Sequence, residues 1–186
     1  MFNRTLCAPF ALSLLILSGC SSTTPSPQVK QLHQEVSQLS QQMQQLTGQA
    51  EALETQGQLN SQAAQGAWLL PLAKTPVLLQ TQLGEIRLSL GQVKGDVEGS
   101  RVDLTLSSSN HQPLPALSAS VVWGELDPTS GKPLNASSQQ QTLVIPASLT
   151  PQSSVTVPLH LGGLAPEQLG FIRVHDVMSN GEPLTH

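Results

Sequence analysis

The sequence predicts a mainly β protein, in which an N-terminal coiled-coil-type helix is followed by an antiparallel immunoglobulin-like β-sandwich. Over residues 29–53, apolar side chains recur at alternating steps of three and four, which is the spacing of a coiled coil. From residue 67 onward, short segments alternate apolar and polar side chains, as half-buried strands do. Gly, Pro, Asn and Ser separate these segments, and no long helical pattern interrupts them.

Residues 1–19 are predicted to be a lipoprotein signal peptide. Arg4 precedes an uncharged run of 14 mostly apolar or small residues, 6–19, whereas a membrane-spanning helix needs about 20 apolar residues. The run ends in Leu17-Ser18-Gly19-Cys20, which resembles the lipobox of bacterial lipoproteins, in which the leader is cut before the cysteine and the thiol is acylated. We therefore expect cleavage between Gly19 and Cys20 and a lipid on Cys20. An ordinary secretory leader with a chance cysteine is the alternative.

The expected lipid would hold the mature chain on a membrane without a spanning segment. Each buried methylene contributes about 0.8 kcal/mol, and two or more palmitate-type chains anchor a protein firmly. In enteric-type bacteria an Asp after the lipidated cysteine favours the inner membrane, but Ser21 and Ser22 follow here. This predicts the outer membrane, with the protein on the periplasmic side. Residues 20–27 are rich in Ser, Thr and Pro and are expected to form a flexible tether.

Residues 28–66 are predicted to be a helical coiled-coil segment. Its seam, the stripe of apolar heptad positions, contains no polar residue and consists of Val29, Leu32, Val36, Leu39, Met43, Leu46, Ala50 and Leu53. An amphipathic helix of this length is marginal alone, so the seam must pair with copies of itself, with another protein, or with its own β domain. Self-association is the favoured interpretation. Gln-rich disorder is a weaker alternative, because the heptads are unbroken. A basic membrane-surface helix is also weaker, because the polar face has only Lys30 as a fixed cation.

Residues 67–186 are predicted to hold about six or seven strands. Three segments show clear alternation, namely Ile86, Leu88 and Leu90; Val102, Leu104 and Leu106; and Val155, Val157, Leu159 and Leu161. Residues 117–126, 140–145 and 170–178 complete the set, and residues 95–100 are expected to form a hairpin-like loop. Trp123 is a candidate core tryptophan, and Pro158 indicates an edge strand or a bulge.

The charge and cysteine content exclude several classes of function. Without the leader and its Arg4, the chain has 7 Lys and Arg against 12 Asp and Glu, a net charge of −5. A chain this acidic lacks the basic surface that phosphate backbones select, so we expect no nucleic-acid partner. Cys7 leaves with the leader, and Cys20 is used by lipid, so we expect neither a disulfide nor a zinc site.

Several stretches of the β region resemble the YajI-like family of enterobacterial envelope lipoproteins. The most distinctive are "NHQPLPALSASVVWG" and "LGFIRVHDV", and "TPVLLQTQLGEIRLSL" adds to them. The resemblance spans the lipobox and most of the β domain, whereas the helical region matches only in kind. It implies a lipoprotein architecture. Since the family has no established biochemical function, it implies no catalytic residue.

The sequence contains few candidate catalytic, metal-binding or ligand-binding residues. His175 and Asp176 are neighbours on a predicted strand, so we expect their side chains to point to opposite faces and not to form a dyad. His111 lies in a predicted turn and could join a binding loop. Two loop pairs of carboxylates, Asp96 with Glu98 and Glu125 with Asp127, are weak calcium candidates. We expect no catalytic residue, no metal, and no cofactor beyond the covalent lipid on Cys20.

The sequence therefore predicts a lipid-anchored, periplasm-facing outer-membrane lipoprotein that is a non-enzymatic structural and interaction module. Its expected partners are the membrane, through the lipid, and either further copies of itself or another protein, through the helix. One alternative is a ligand-binding or hydrolytic envelope domain with a loop-built site near His111 or His175. Another is an accessory subunit of an envelope assembly complex.

Overall fold

The computed structural model describes residues 27–109, 113–147 and 154–180. The chain divides into two compact units, Met1–Gln41 and Gln42–His186. Helix α1, Pro27–Gln62, is the described structure of the first unit and opens the second. Its abundance of Gln, Leu, Glu and Ala, which are good helix formers, explains its length of 36 residues. The helix ends four residues before the limit predicted for this segment.

Nine strands and one short 3₁₀ helix, Asn135–Ser137, follow in the described part of the second unit. The strands in chain order are β1 Ala67–Leu69, β2 Val77–Thr81, β3 Gly84–Leu90, β4 Lys94–Asp96, β5 Gly99–Ser108, β6 Leu117–Gly124, β7 Gln139–Ile145, β8 Ser154–Gly162 and β9 Phe171–Ser179.

The strands form two antiparallel sheets. One sheet has the order β1-β9-β6-β7. In the other, β2 pairs with β3, and β3 and β4 lie end to end along one side of β5, while β8 covers the other side. The register places apolar residues opposite each other, as in Leu88 with Leu106 and Val102 with Leu159. Such pairs stabilise neighbouring strands.

Buried side chains from both sheets form one hydrophobic cluster. The alternation predicted from the sequence is confirmed by its most buried members, which include Ile86, Leu88, Val102, Leu104, Leu106, Leu159 and Leu161. Trp123 is 3% exposed, which confirms it as a core residue. Its indole Nε1 donates to the carbonyl oxygen of Gly162 at 3.1 Å, so this contact joins a strand of one sheet to a strand of the other.

Three short strands were not predicted from the sequence. β1 and β4 have three residues each, which is too few to establish a period of two. In β2, the outward-facing Leu78 is apolar and 48% exposed, so the sequence does not alternate between apolar and polar residues. The hairpin expected at residues 95–100 is present, with Asp96 opposite Gly99 across a tight turn. Pro158 lies on β8, which pairs only with β5 among the described strands and is therefore an edge, as Pro158 indicated.

Candidate functional site

The predicted seam is exposed along its whole length. In the first unit, Val29, Leu32, Val36 and Leu39 are 42–59% exposed. In the second unit, Met43, Leu46 and Leu53 are 46–64% exposed, and Ala50 is exposed as well. In the second unit, Met43, Leu46, Ala50 and Leu53 are not buried against any described residue. The β domain therefore does not cover this part of the seam, although the sequence left that pairing open.

A different face of α1 packs on the β domain. Ala52 and Gln56 are buried and Leu59 is half-buried, and the apolar members of this face join Leu70, Ala73 and Phe171 in a second hydrophobic cluster. At 3.6 residues per turn, this face lies roughly 130° around the helix from the seam positions of the same stretch. Packing on the β domain and exposure of the seam are thus compatible on one helix.

Gln56 fixes this face by bridging α1 to the segment after β1. Its side chain is 4% exposed. Its amide oxygen accepts the backbone N–H of Leu70 at 2.7 Å, and its amide nitrogen donates to the carbonyl of Thr75 at 3.2 Å. A buried amide is tolerated when its polar atoms are paired, as they are here.

Asn60 adds a second pair of hydrogen bonds one turn later. Its amide oxygen accepts the backbone N–H of Trp68 at 2.9 Å, and its amide nitrogen donates to the carbonyl of the same residue at 2.8 Å. This side chain thus pairs with the β1 backbone much as a neighbouring strand would. Asn60 also donates to the carbonyl of Gln56, which ties the two amides into one network.

Trp68, on β1, connects the hydrogen bonds of Gln56 and Asn60 to the sheet of order β1-β9-β6-β7. Its ring centroid lies 5.2 Å from that of Phe171, at an interplanar angle of 55°. The guanidinium carbon of Arg173 lies 5.0 Å from the Trp68 ring centroid, within cation–π range. No pattern in the sequence indicated this cluster or the two amides. Gln56 is one of many glutamines in the helix, so composition did not mark it out.

The prediction that His175 and Asp176 cannot form a dyad is wrong. His175 Nδ1 lies 2.8 Å from Asp176 Oδ2. The strict alternation of a strand fails here because the β6–β9 register shifts between Ser118 and Ser120, and Asp176 adopts a left-handed φ of +52°. An irregularity of this kind re-aims side chains locally. It brings the carboxylate to the imidazole.

Within the described residues, no further hydrogen-bonding group joins this pair. A groove of about 760 Å³ lies beside it, lined by Asp176, Met178, Leu79 and Leu83 among others, but His175 does not line that groove. A Ser–His–Asp arrangement needs a nucleophile within hydrogen-bond reach of the imidazole. In the described part of the chain, the hydrogen bond of the His175 ring is the one to Asp176.

Two of the four loop carboxylates, Asp96 and Asp127, accept hydrogen bonds from neighbouring groups. His160 Nδ1 lies 2.9 Å from Asp96 Oδ2, and the backbone N–H of Val97 and this histidine lower the pKa of Asp96. Asp127 accepts hydrogen bonds from Ser130 and Thr129, and the backbone N–H of Ser130 is the main cause of its lowered pKa. No group of three or more potential metal ligands occurs within residues 27–109, 113–147 and 154–180.

Several predicted sites lie outside the described residues. These are the cleavage position at Gly19, the lipid attachment site at Cys20, and His111. Within the described residues, no helix combines the length and the apolar character that crossing a membrane requires.

Comparison with known proteins gives consistent matches. A family model described as a protein of unknown function (DUF3251) matches residues 23–182. The uncharacterized lipoprotein YajI of Escherichia coli (strain K12) is 36% identical over 165 residues, which cover 89% of this chain and 90% of that protein. The solution NMR structure of YajI from Escherichia coli matches with a TM-score of 0.69 at 34% identity, covering 75% of this chain and 83% of that one.

A more distant structure shares the fold. The trimeric lipoprotein SadB of Salmonella enterica matches with a TM-score of 0.53 at 16% identity, and 82% of each chain is covered.

Proposed function

Because the chain belongs to the DUF3251 family of proteins of unknown function and is homologous to an uncharacterised lipoprotein, we propose that it is a lipid-anchored lipoprotein of the outer membrane, facing the periplasm. Its role in this proposal is that of a non-enzymatic structural and interaction module. The Leu17-Ser18-Gly19-Cys20 sequence supports the anchor, and Ser21 and Ser22 support the outer membrane.

The proposed activity is self-assembly through the seam of α1. The observation that carries it is the exposure of all eight apolar seam residues while the helix packs on the β domain with another face. Apolar surface removed from water contributes about 25 cal/mol per Å². An uninterrupted seam of this kind is stable when knobs from one helix fill holes in the next.

We propose three copies in the assembly. Support comes from the shared fold of SadB, which is itself a trimeric lipoprotein. The seam departs from the two-stranded pattern of β-branched residues at a with Leu at d, since Met43 and Ala50 follow Val29 and Val36 at the a positions. No Asn or Lys interrupts the seam, and such a residue is the usual device that specifies a dimer.

We further propose that the two sheets form an immunoglobulin-like sandwich that presents the interaction surface. In support, β5 pairs with β8 in one sheet and β6 pairs with β9 in the other. In the immunoglobulin fold, strand B likewise pairs with strand E in one sheet, and strand C pairs with strand F in the other. Trp123 lies on β6, the counterpart of strand C, where that fold carries its core tryptophan.

Sedimentation of the lipid-free chain from Gln28 onward tests self-assembly. At tens of micromolar we expect a trimer for the unchanged chain and a monomer for Leu39→Glu, because the substitution would place like charges together inside the coil. Gln41→Glu adds the same charge at an exposed position off the seam and is expected to remain trimeric.

The other outcomes separate the alternatives. A dimer that Leu39→Glu dissociates would uphold self-assembly and contradict the stoichiometry. A monomer at these concentrations for the unchanged chain would contradict self-assembly, and would favour an accessory role in which the seam pairs with a different envelope protein.

A further inference from the structure

A cationic groove lies at the junction of the helix end and the first sheet. It has a volume of about 460 Å³, within the range of small-molecule sites. Its lining combines apolar surface, two cations and amide groups, contributed by Leu59, Ala63, Trp68, Lys132, Asn135 and Arg173 among others. None of these residues belongs to the seam.

Arg173 is held in a fixed position in this groove. Its guanidinium lies over the Trp68 ring, and its Nη2 donates to the carbonyl of Gln65 at 3.0 Å. Its Nε is buried and has no hydrogen-bond partner among the described residues. A guanidinium carries five N–H donors. The protein therefore orients the group with one hydrogen bond and a ring contact, and leaves most of its donors without a protein acceptor.

The positive charge of the groove is not balanced locally. No Asp or Glu occurs among the residues that line it. The ion pairs found in the described part of the chain, His160 with Asp96 and His175 with Asp176, use neither Arg173 nor Lys132. Two unpaired cations beside low-dielectric walls concentrate an attractive potential for anions, even on a protein of net negative charge.

We propose that this groove binds the phosphate monoester group of a small organic ligand, whose apolar part lies against Trp68, Leu59 and Ala63. A phosphate monoester is close to dianionic at neutral pH, so it matches the two cations, whereas a carboxylate matches one. Arginine binds phosphate through its planar fork of donors, and lysine binds it as a point charge. The amides of Gln62 and Asn135 line the same groove and offer further donors.

Titration of the full-length protein with phenyl phosphate at constant ionic strength tests the site. The readouts are the Arg173 Nε–H and Trp68 indole N–H resonances in ¹⁵N NMR spectra. We expect saturable shifts of both signals. Lys132→Glu, an exposed substitution that does not disturb the core, should weaken binding about tenfold or more, because it replaces an attraction by a repulsion. Benzoate, with one charge, should bind more weakly than phenyl phosphate.

Lys94→Glu is the matched control. It makes the same change of charge at an exposed position outside the groove and should leave the affinity unchanged. Shifts that rise linearly without saturation, or an equal loss of affinity in the two variants, would overturn the proposal in favour of general charge screening. Benzoate binding as tight as that of phenyl phosphate would overturn the phosphate assignment. These outcomes do not depend on self-assembly, since the seam lies elsewhere.

Discussion

Gln56 shows how one side chain can hold a helix to a sheet domain. Its amide meets a backbone donor on Leu70 and a backbone acceptor on Thr75, in a position that is 4% exposed. In water, each of those backbone groups would hydrogen-bond to solvent. In the folded protein they depend on this amide, so its removal leaves them buried without partners.

Gln56→Leu should lower the free energy of unfolding by about 2 kcal/mol, the usual cost of leaving buried polar groups unpaired. Urea denaturation at neutral pH measures the change. Gln58→Leu is the matched control, because Gln58 is exposed and its hydrogen bond to Glu54 is on the helix surface. Equal destabilisation by the two substitutions would contradict the role assigned to Gln56.

Asp127 makes the stability of its turn depend on pH. Hydrogen bonds from the Ser130 N–H, the Ser130 hydroxyl and the Thr129 N–H hold its pKa below the ordinary carboxyl value. A carboxyl with a depressed folded-state pKa stabilises the fold above its unfolded pKa, about 4. That contribution is lost as the pH falls through the lower folded value.

Asp127→Ala should therefore lower the urea midpoint at neutral pH, and the difference from the unchanged protein should shrink as the pH falls below about 4. Glu167→Ala removes an exposed carboxylate without a hydrogen bond or ion pair in the described residues, and should change the midpoint little at either pH. A difference for Asp127→Ala that grows on acidification would show that the sign of this argument is wrong.

At the scale of the elements, the sequence of α1 revealed only one of its two functional faces, the seam. The seam is visible because apolar residues repeat in heptads. The face that packs on the β domain uses Gln56 and Asn60, and in a Gln-rich helix such residues look like solvent-exposed ones. Only the position of the β1 backbone, which the fold supplies, gives these amides their partners.

Like the two faces of α1, the strands were only partly predictable from the sequence. β3, β5 and β8 are long enough to show alternation and were predicted, whereas β1 and β4 have three residues each. The His175–Asp176 contact depends on a register shift against β6. Such a shift is a property of two paired strands, so the sequence of β9 alone could not reveal it.

Two glycines of the helix and its exit should respond to alanine in opposite ways. Gly57 lies in α1, where an added Cβ would meet open space, so Gly57→Ala should stabilise the protein by about 0.5–1 kcal/mol. Gly66 has a φ of +87°, and an added Cβ would lie 2.7 Å from the Val174 carbonyl oxygen. Gly66→Ala should destabilise by about 2 kcal/mol. Thermal denaturation of both variants measures the shifts, and a shift of the same sign for both would contradict these assignments.

At the scale of the whole molecule, the sequence was most informative about the family and the two antiparallel sheets. The family could be identified from stretches of the β region, and the two antiparallel sheets follow from the alternation of their strands. The cationic groove could not be anticipated, because Lys132 and Arg173 are 41 residues apart in the chain. They reach the same groove through the pairing of β6 with β9 and through the loop after β6, in which Leu126 bridges to Pro133.

The anchor is tested by metabolic labelling of cells with palmitate. Cys20→Ala should abolish incorporation of the label, because this thiol is the expected site of acylation. Cys7→Ala is the matched control, since Cys7 belongs to the predicted leader and leaves with it. Label retained in Cys20→Ala, or lost equally in both variants, would contradict the anchor.

The separation of the two faces of α1 has a consequence for how this family can diverge. In the proposed assembly, a substitution on the seam would change which chains pair, while the hydrophobic cluster formed by Ala52, Leu70, Ala73 and Phe171 would continue to hold the fold. A substitution at Gln56 or Asn60 affects folding and leaves the pairing code of the seam intact. Under this proposal, selection would act on partner choice and on stability as nearly independent traits, and one β domain would serve assemblies with different partners.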